Sequence, residues 1–370
     1  MTTLRAATLR LFERLHDETL AVDAEHVVAP SSIEEAAAVL GAASEAGIST
    51  TFLGAGTDPG PGRRVRADLV VTSTRLNRIT DWQPDDLTVV VESGVSVEAL
   101  GAEIASRGQT AVLPEWVTGA TIGGVIATGM SSYRRLRYGP TRDRVLRVQF
   151  ATGYGRVVTG GSPVVKSSTG YGIPRLVTGS FGSLGMIGSV TLKLWSNPPT
   201  TSTVEVDDAA TAYLRTYRPL AVLETSEGSF LYLGGTAEQI VAQARDVAGD
   251  SRHGLVWPEP IVDPIRIEFR VPAGLVRPAI DRSRRLGASR WVAEHGVGRV
   301  TVGLGTLDDA SFGAARSWAE SVGGALVVAS GGKDIDPWGT PPESIDIQRR
   351  IKQAFDPSGI CNSGILPGGL

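Results

Sequence analysis

The glycines of this chain gather in short clusters that close β-patterned runs, and their placement constrains the fold more than any other feature of the sequence. Gly54-Ala55-Gly56-Thr57 follows the strand-like run Ser49 to Leu53, and a second region extends from Gly119 to Gly129. A third cluster turns at Gly153-Tyr154-Gly155, and a fourth runs from Gly179 to Gly185. Glycine lets the backbone curl through conformations closed to other residues and lets a ligand approach the main chain. Forty-five glycines in 370 residues, without a low-complexity tract, predict loops built around a bound group. The first cluster is not a Rossmann loop. The third glycine position of G-x-G-x-x-G is Pro59 and no helical pattern follows over 60–66, so the helix-terminus half of that mechanism is missing. Taken alone, the cluster also fits a plain turn.

Around the clusters the pattern is mixed. Ser31 or Ser32 followed by Glu34 or Glu35 has capping-box spacing, and Ile33, Ala36, Ala37, Leu40 and Ala43 carry a helical period up to Gly47. Further helices are predicted over 4–20 and from Ser96 to about Arg107. Strands are predicted at 70–71, 79–82, 88–91 and 187–194, with a hairpin over 145–158. The Gly119–Gly129 region reads as a glycine loop. Asn197-Pro198-Pro199 marks a boundary. Beyond it, strands near 220–233, 265–271, 291–293, 300–304 and 325–328 alternate with helices near 237–248, 274–286 and 308–322, which predicts an antiparallel sheet with helices on one face. The expected division is a first domain over 1–200, a second over 201–335, and a segment over 336–370, with a helix near 342–355, that returns to the first.

Several functions are excluded early. A net charge of −3 carries no basic footprint for nucleic acid. The single cysteine, Cys361, rules out an intrachain disulfide or a cysteine-ligated cluster, and His16, His26, His253 and His295 lie too far apart for ligand spacing, so no metal site is expected. Redox chemistry would need an organic cofactor. No run approaches the ~18–20 apolar residues of a membrane span, and no leader pattern opens the chain, so a cytoplasmic location is expected.

The clusters also keep an order: Gly54-Ala55-Gly56-Thr57, Thr121-Ile122-Gly123-Gly124, Tyr138-Gly139 with Arg142-Asp143, Lys166 with Gly170-Tyr171-Gly172, then Gly182 to Ile187. In that order they resemble the FAD domain of the vanillyl-alcohol oxidase, or PCMH-type, flavoprotein family over about residues 25–200. Within that family the stretches 123–142, 165–176 and 351–364 are similar to FAD-binding subunits of glycolate oxidase. The resemblance implies an α+β fold: a PCMH-type FAD-binding domain of two α/β subdomains with FAD extended between them, plus a smaller antiparallel α+β cap domain. It implies that Gly54, Ala55, Gly56, Thr57 and Asp58, with Thr121, Gly123 and Gly124, hold the pyrophosphate mainly through backbone amides. Ser131, Tyr138, Gly139, Arg142 and the Gly185-Met186-Ile187 main chain are implied as further contacts, with Ser132 as another possible hydroxyl. Covalent relatives carry a His in or beside the first loop; Thr57 and Asp58 stand there, so the FAD is expected to be non-covalent.

Lys166 is a candidate cation beside the flavin. Arg134, Arg135 and Arg137 form either a solvated loop or a site for a substrate carboxylate. Glu294-His295-Gly296-Val297-Gly298 resembles the E-H-G-x-G segment that carries a catalytic His in the related catalytic subunit, making His295 a candidate base. The metal-binding histidines upstream of that segment have no counterpart here, so a plain hairpin turned by Gly296 and Gly298 is the competing reading. Gly172, where Asp is usual, and Ser363, where Pro is usual, depart from the family pattern. The implied function is an FAD-dependent oxidoreductase, or an FAD-binding subunit of a complex oxidising a glycolate-like 2-hydroxy acid. The alternative is an electron-relay or assembly subunit with no substrate site of its own. Implied partners are a sibling catalytic FAD subunit and an iron–sulfur subunit, through which the chain reaches the inner face of a membrane.

Overall fold

The structure, a computed structural model, describes residues 6–14, 24–57, 60–61, 67–163, 172–247, 249–332 and 335–370. Near the N-terminus one half of the expected capping box forms, and the Glu35 carboxylate turns to Ser31 rather than to the N-cap Ser32 N–H. Ser32 Oγ accepts the Glu35 N–H at 3.1 Å, and the Glu35 carboxylate accepts the N–H and hydroxyl of Ser31, each at 2.8 Å. This starts the helix Ile33–Ala46, which Gly47 ends at φ 67°. Its buried face, including Ile33, Ala36, Leu40 and Ala43, packs into one core with a three-stranded parallel sheet ordered His26–Val28, Leu69–Thr72, Thr50–Leu53. Parallel pairing requires a crossover, and the helix supplies the one between the two outer strands.

A five-stranded antiparallel sheet follows, ordered Ile79–Gln83, Thr88–Glu92, Gly185–Lys193, Val145–Thr152, Val157–Gly161. The helix Val97–Ala105, capped by Ser96, buries Leu100 and Ile104 against Val89, Val91, Val148 and Phe150. The expected loop at Gly119–Gly129 is corrected here: Thr121 caps a helix, Ile122–Thr128, whose Ile122, Val125 and Ile126 complete that core. Two adjacent glycines depress helix propensity, which hid it. Gly123 is required by packing, since a Cβ there would lie 2.7 Å from the Ser93 Cβ.

The largest sheet has eight antiparallel strands, ordered Asp250–His253, Thr200–Val206, Ser229–Gly235, Ala221–Thr225, Arg290–Glu294, Arg299–Leu304, Ile265–Arg270, Ala325–Ser330. The run expected near 220–233 is thus a pair of strands, and Thr200–Val206, Asp250–His253 and the helix Ala209–Arg215 were not foreseen. Ala209–Arg215, Ala237–Asp246, Val276–Arg285 and Asp309–Ser321 cover one face. The other face carries Ala221, Leu223, Tyr232 and Val292, which cluster with Tyr133 from the N-terminal layers. Beyond the helix Ile345–Phe355, Cys361 forms a parallel bridge with Thr50, and Ile360 and Cys361 enter the core of the parallel sheet. Lys352 fixes the turn between them, its Nζ donating to Ser183 O at 2.8 Å, Cys361 O at 2.6 Å and Asp356 Oδ2 at 2.6 Å.

Candidate functional site

Strand alternation builds one wall of a cleft. In Ile265–Arg270 and Arg299–Leu304, Ile267, Phe269, Val300 and Val302 point into the helix-covered core. The intervening Arg266, Glu268, Arg270, Arg299 and Thr301 therefore face the N-terminal layers. They line a cleft of about 1130 Å³, open mouth included, whose opposite wall holds Thr57, Trp116, Thr118, Met130, Tyr133 and Phe181.

The register sets like charges against each other. Arg270 lies directly across from Arg299, and Arg299 directly across from Glu294. Facing cations on a sheet repel unless an anion is shared between them. Glu268 is that anion: Arg270 Nε donates to its Oε1 at 2.5 Å, and Arg299 Nη1 lies 3.8 Å from its Oε2. Burial raises the Glu268 pKa, but the charges of Arg270 and Arg299 and the hydrogen bond from Arg270 outweigh it and hold the carboxyl down at about 2. Glu294 pairs with Arg299 Nε through Oε1, yet its burial pushes its pKa up, Arg299 and Arg135 only partly offsetting it. Glu294 Oε2 is buried and meets no donor among the described residues. The Arg299 guanidinium also donates to Ser131 O at 3.5 Å and lies 5.2 Å over the Trp116 ring.

The facing wall is aromatic. Trp116 and Tyr133 are 4.2 Å apart between ring centroids; Tyr133 and Trp257 follow at 5.6 Å, and Trp257 stacks on Tyr232 at 4.2 Å. Burial drives the Tyr133 phenol well above its ordinary range, reinforced by the Glu294 charge. Phe181 holds φ 51°, a left-handed value kept in place by two hydrogen bonds: its N–H donates to Ala127 O at 2.8 Å, and its carbonyl accepts Asn362 Nδ2 at 2.6 Å. Asn362 is itself held by the Thr51 hydroxyl at 2.5 Å.

The glycine loop reaches the cleft through Thr57. Gly54 packs against Thr121 with no room for a side chain, a Cβ falling 2.2 Å from Thr121 Oγ1, and Gly56 holds φ 68°. Ala55, Gly56 and Thr57 are exposed, and their N–H groups donate to no described residue. Thr121, Gly123 and Gly124 lie beside them with amides already committed: Gly123 N–H to Ser93 O at 2.7 Å and Gly124 N–H to Thr121 Oγ1 at 3.2 Å. Ser131 is buried, its Oγ accepting the Thr141 N–H at 3.0 Å, and Ser132 donates to Glu115. Tyr138 packs edge-on against Trp195, Gly139 O accepts from Arg144 at 2.6 Å, and Arg142 is exposed. Gly185, Met186 and Ile187 are buried in strand pairing opposite Thr152, Ala151 and Phe150. Arg134 is paired with Glu115 at 2.7 Å, and Arg137 donates to Arg218 O at 2.8 Å; Arg135 lies near Glu294 and Glu268, its pKa lowered by burial and by Arg299. His295 does not line the cleft; its Nε2 sits 3.0 Å from Glu224 Oε2 on the other side of the sheet turn. Asp58 and Lys166 lie outside the described residues. Among those described, no group of His, Cys, Asp and Glu is arranged to hold a metal ion, and no helix is long and apolar enough to cross a membrane.

Among known proteins, the family model described as FAD binding domain matches residues 24–161. Residues 24–161 are a PCMH-type FAD-binding domain. FAD is accordingly the cofactor, and the uncommitted amides at Ala55 to Thr57 and the left-handed Gly56 fit a dinucleotide anion. The chain is 33% identical over 177 residues to D-2-hydroxyglutarate dehydrogenase of Xanthomonas citri pv. viticola, covering 47% of this chain and 37% of that protein. It is 32% identical over 175 residues to D-lactate dehydrogenase of Anaerostipes hadrus, covering 47% and 37%. It is 32% identical over 122 residues to the glycolate oxidase subunit GlcE of Escherichia coli, covering 32% and 35%. The matches thus span little more than a third of each of these relatives. A solved alkyldihydroxyacetonephosphate synthase shares the fold, with TM-score 0.66 at 16% identity over 92% of this chain and 77% of that one.

Proposed function

We propose that this chain is an FAD-dependent oxidoreductase of a small organic acid, of the 2-hydroxy acid class named among its relatives, with FAD held non-covalently in the cleft. One observation carries the reading: a loop with uncommitted amides and a strand face bearing Arg266, Arg270 and Arg299 meet across one cavity. In this reading Gly54 to Thr57 hold the pyrophosphate. FAD, when bound, supplies the acceptor for a hydride from the substrate α-carbon. Arg270 and Arg299 hold the substrate carboxylate, Trp116, Tyr133 and Phe181 exclude water, and Glu268 keeps both guanidiniums oriented. With a pKa of about 2, Glu268 is too weak a base to take the hydroxyl proton. We also place the division of the chain near Asn197–Pro199, with 336–370 packed back on the first part, a division supported by the Cys361 bridge to Thr50.

A second reading, an electron-relay subunit beside a sibling catalytic chain and an iron–sulfur subunit, is favoured by the position of His295. The candidate base is turned to Glu224, away from the cleft. Anaerobic mixing of the FAD-loaded chain with glycolate, D-lactate and D-2-hydroxyglutarate separates the two. Bleaching of the flavin band by one of these acids, lost in Arg270→Met, supports the oxidoreductase; a flavin that stays oxidised with all three supports the relay.

A further inference from the structure

We propose that Glu294 takes up a proton from solvent when an organic anion binds at Arg299, so that anion binding in the cleft is proton-coupled. The inference rests on the reading of Arg270 and Arg299 as the anion site. Glu294 ends the strand Arg290–Glu294, and Glu294, Arg299 and Arg270 form one cross-strand row. Its side chain is 2% exposed, with Oε1 on Arg299 and Oε2 without a donor among the described residues. A dry carboxylate with an unpaired oxygen is costly as an anion and much less so as an acid.

The surrounding charges give the direction. Arg299 faces Glu294 from the adjacent strand and Glu268 acts from the strand beyond it, Arg270 lies beyond Arg299, Arg135 approaches from the helix Arg135–Tyr138, and the Tyr133 phenol from the aromatic wall. Beside it on the chain, His295 is paired with Glu224. The guanidinium of Arg299 thus serves two carboxylates, and Glu268 has a second cation in Arg270 while Glu294 has Arg299 as its direct partner. A ligand anion on Arg299 is a third claimant. The charge on Glu294 is then uncompensated, and an O–H bond forms on Oε2 with a proton given up by water or buffer; no electron moves. Burial already raises the Glu294 pKa in the free chain, consistent with this response. Linkage then requires the anion to bind more weakly as pH rises, by up to about tenfold per pH unit.

The test is calorimetric titration of the FAD-loaded chain with oxalate, in two buffers of unlike protonation enthalpy, repeated from about pH 6 to about pH 9. The expected result is net proton uptake on binding and a dissociation constant that rises with pH. In Glu294→Gln both should vanish while oxalate still binds. Binding without uptake in the parent, or uptake undiminished in a folded Glu294→Gln, overturns the inference and leaves the anion site standing. Oxalate that does not bind the parent overturns the anion site and this inference together. Should Glu294→Gln fail to fold by circular dichroism, the parent decides: a dissociation constant flat across the range refutes the coupling.

Discussion

Glu268→Gln tests the charge arrangement of the cleft most directly. The carboxyl is held at about 2 against an ordinary 4.5, and each unit corresponds to ~1.4 kcal/mol, so the ionised group contributes ~3 kcal/mol to folding. Its side chain is only 13% exposed, so it is not screened like a surface pair. Removing one member of a buried pair costs about 3–5 kcal/mol, in agreement. The folded pKa is depressed, so the contribution is complete above the unfolded value of about 4.5 and is lost as pH falls toward about 2. At neutral pH, without added FAD, the variant should melt ~6–12 °C below the parent, taking ~2–4 °C per kcal/mol for a cooperative unit of this size. The gap should close as the pH falls toward the folded pKa. Arg270 and Arg299 would then face each other without a shared anion, so oxalate should bind more tightly to the variant. Equal melting temperatures at neutral pH, or a gap that widens in acid, would refute the reasoning.

Three further outcomes are expected. Gly56→Val should abolish FAD binding with circular dichroism unchanged, because φ 68° is strained for a β-branched residue; flavin titration checks it. His295→Asn should slow any substrate-dependent flavin bleaching less than tenfold, against about 10²–10⁴ for loss of a general base, because the ring sits on Glu224 outside the cleft. Acid precipitation should leave the flavin entirely in the supernatant; yellow pellet would mean a covalent link.

Much of the scaffold was legible because its signals are local. The Ser31 to Glu35 cap, the Gly47 stop and the Gly153–Gly155 hairpin each follow from a few adjacent residues. The helix Ile122–Thr128 was not, since Gly123 and Gly124 read as loop residues. Gly123 is present because the helix passes close to Ser93, a contact no local pattern records. The glycine order pointed correctly to FAD, yet it grouped loops of unlike standing: Ala55 to Thr57 have uncommitted amides, whereas those of Gly123 and Gly124 are engaged within the chain.

The other wall was hidden for a different reason. Ile265-Arg266-Ile267-Glu268-Phe269-Arg270 alternates so regularly that the charged positions read as a solvent face, and periodicity cannot distinguish water from a cleft. The packing of Leu223, Tyr232 and Val292 against Tyr133, and the reach of Arg299 to Ser131 and Trp116, show that this side of the sheet faces protein. The same period of two separates Glu294 from His295. Leu223, across from Glu294, belongs to the cluster facing Tyr133, whereas Val222 packs with the helices on the opposite face, the face that alternation also gives Glu224, the partner of His295. Motif similarity singled out the histidine of that pair. Side-chain alternation directs it away from the cleft and brings its acidic neighbour to Arg299, so the chemistry of the segment, in this chain, belongs to the carboxylate.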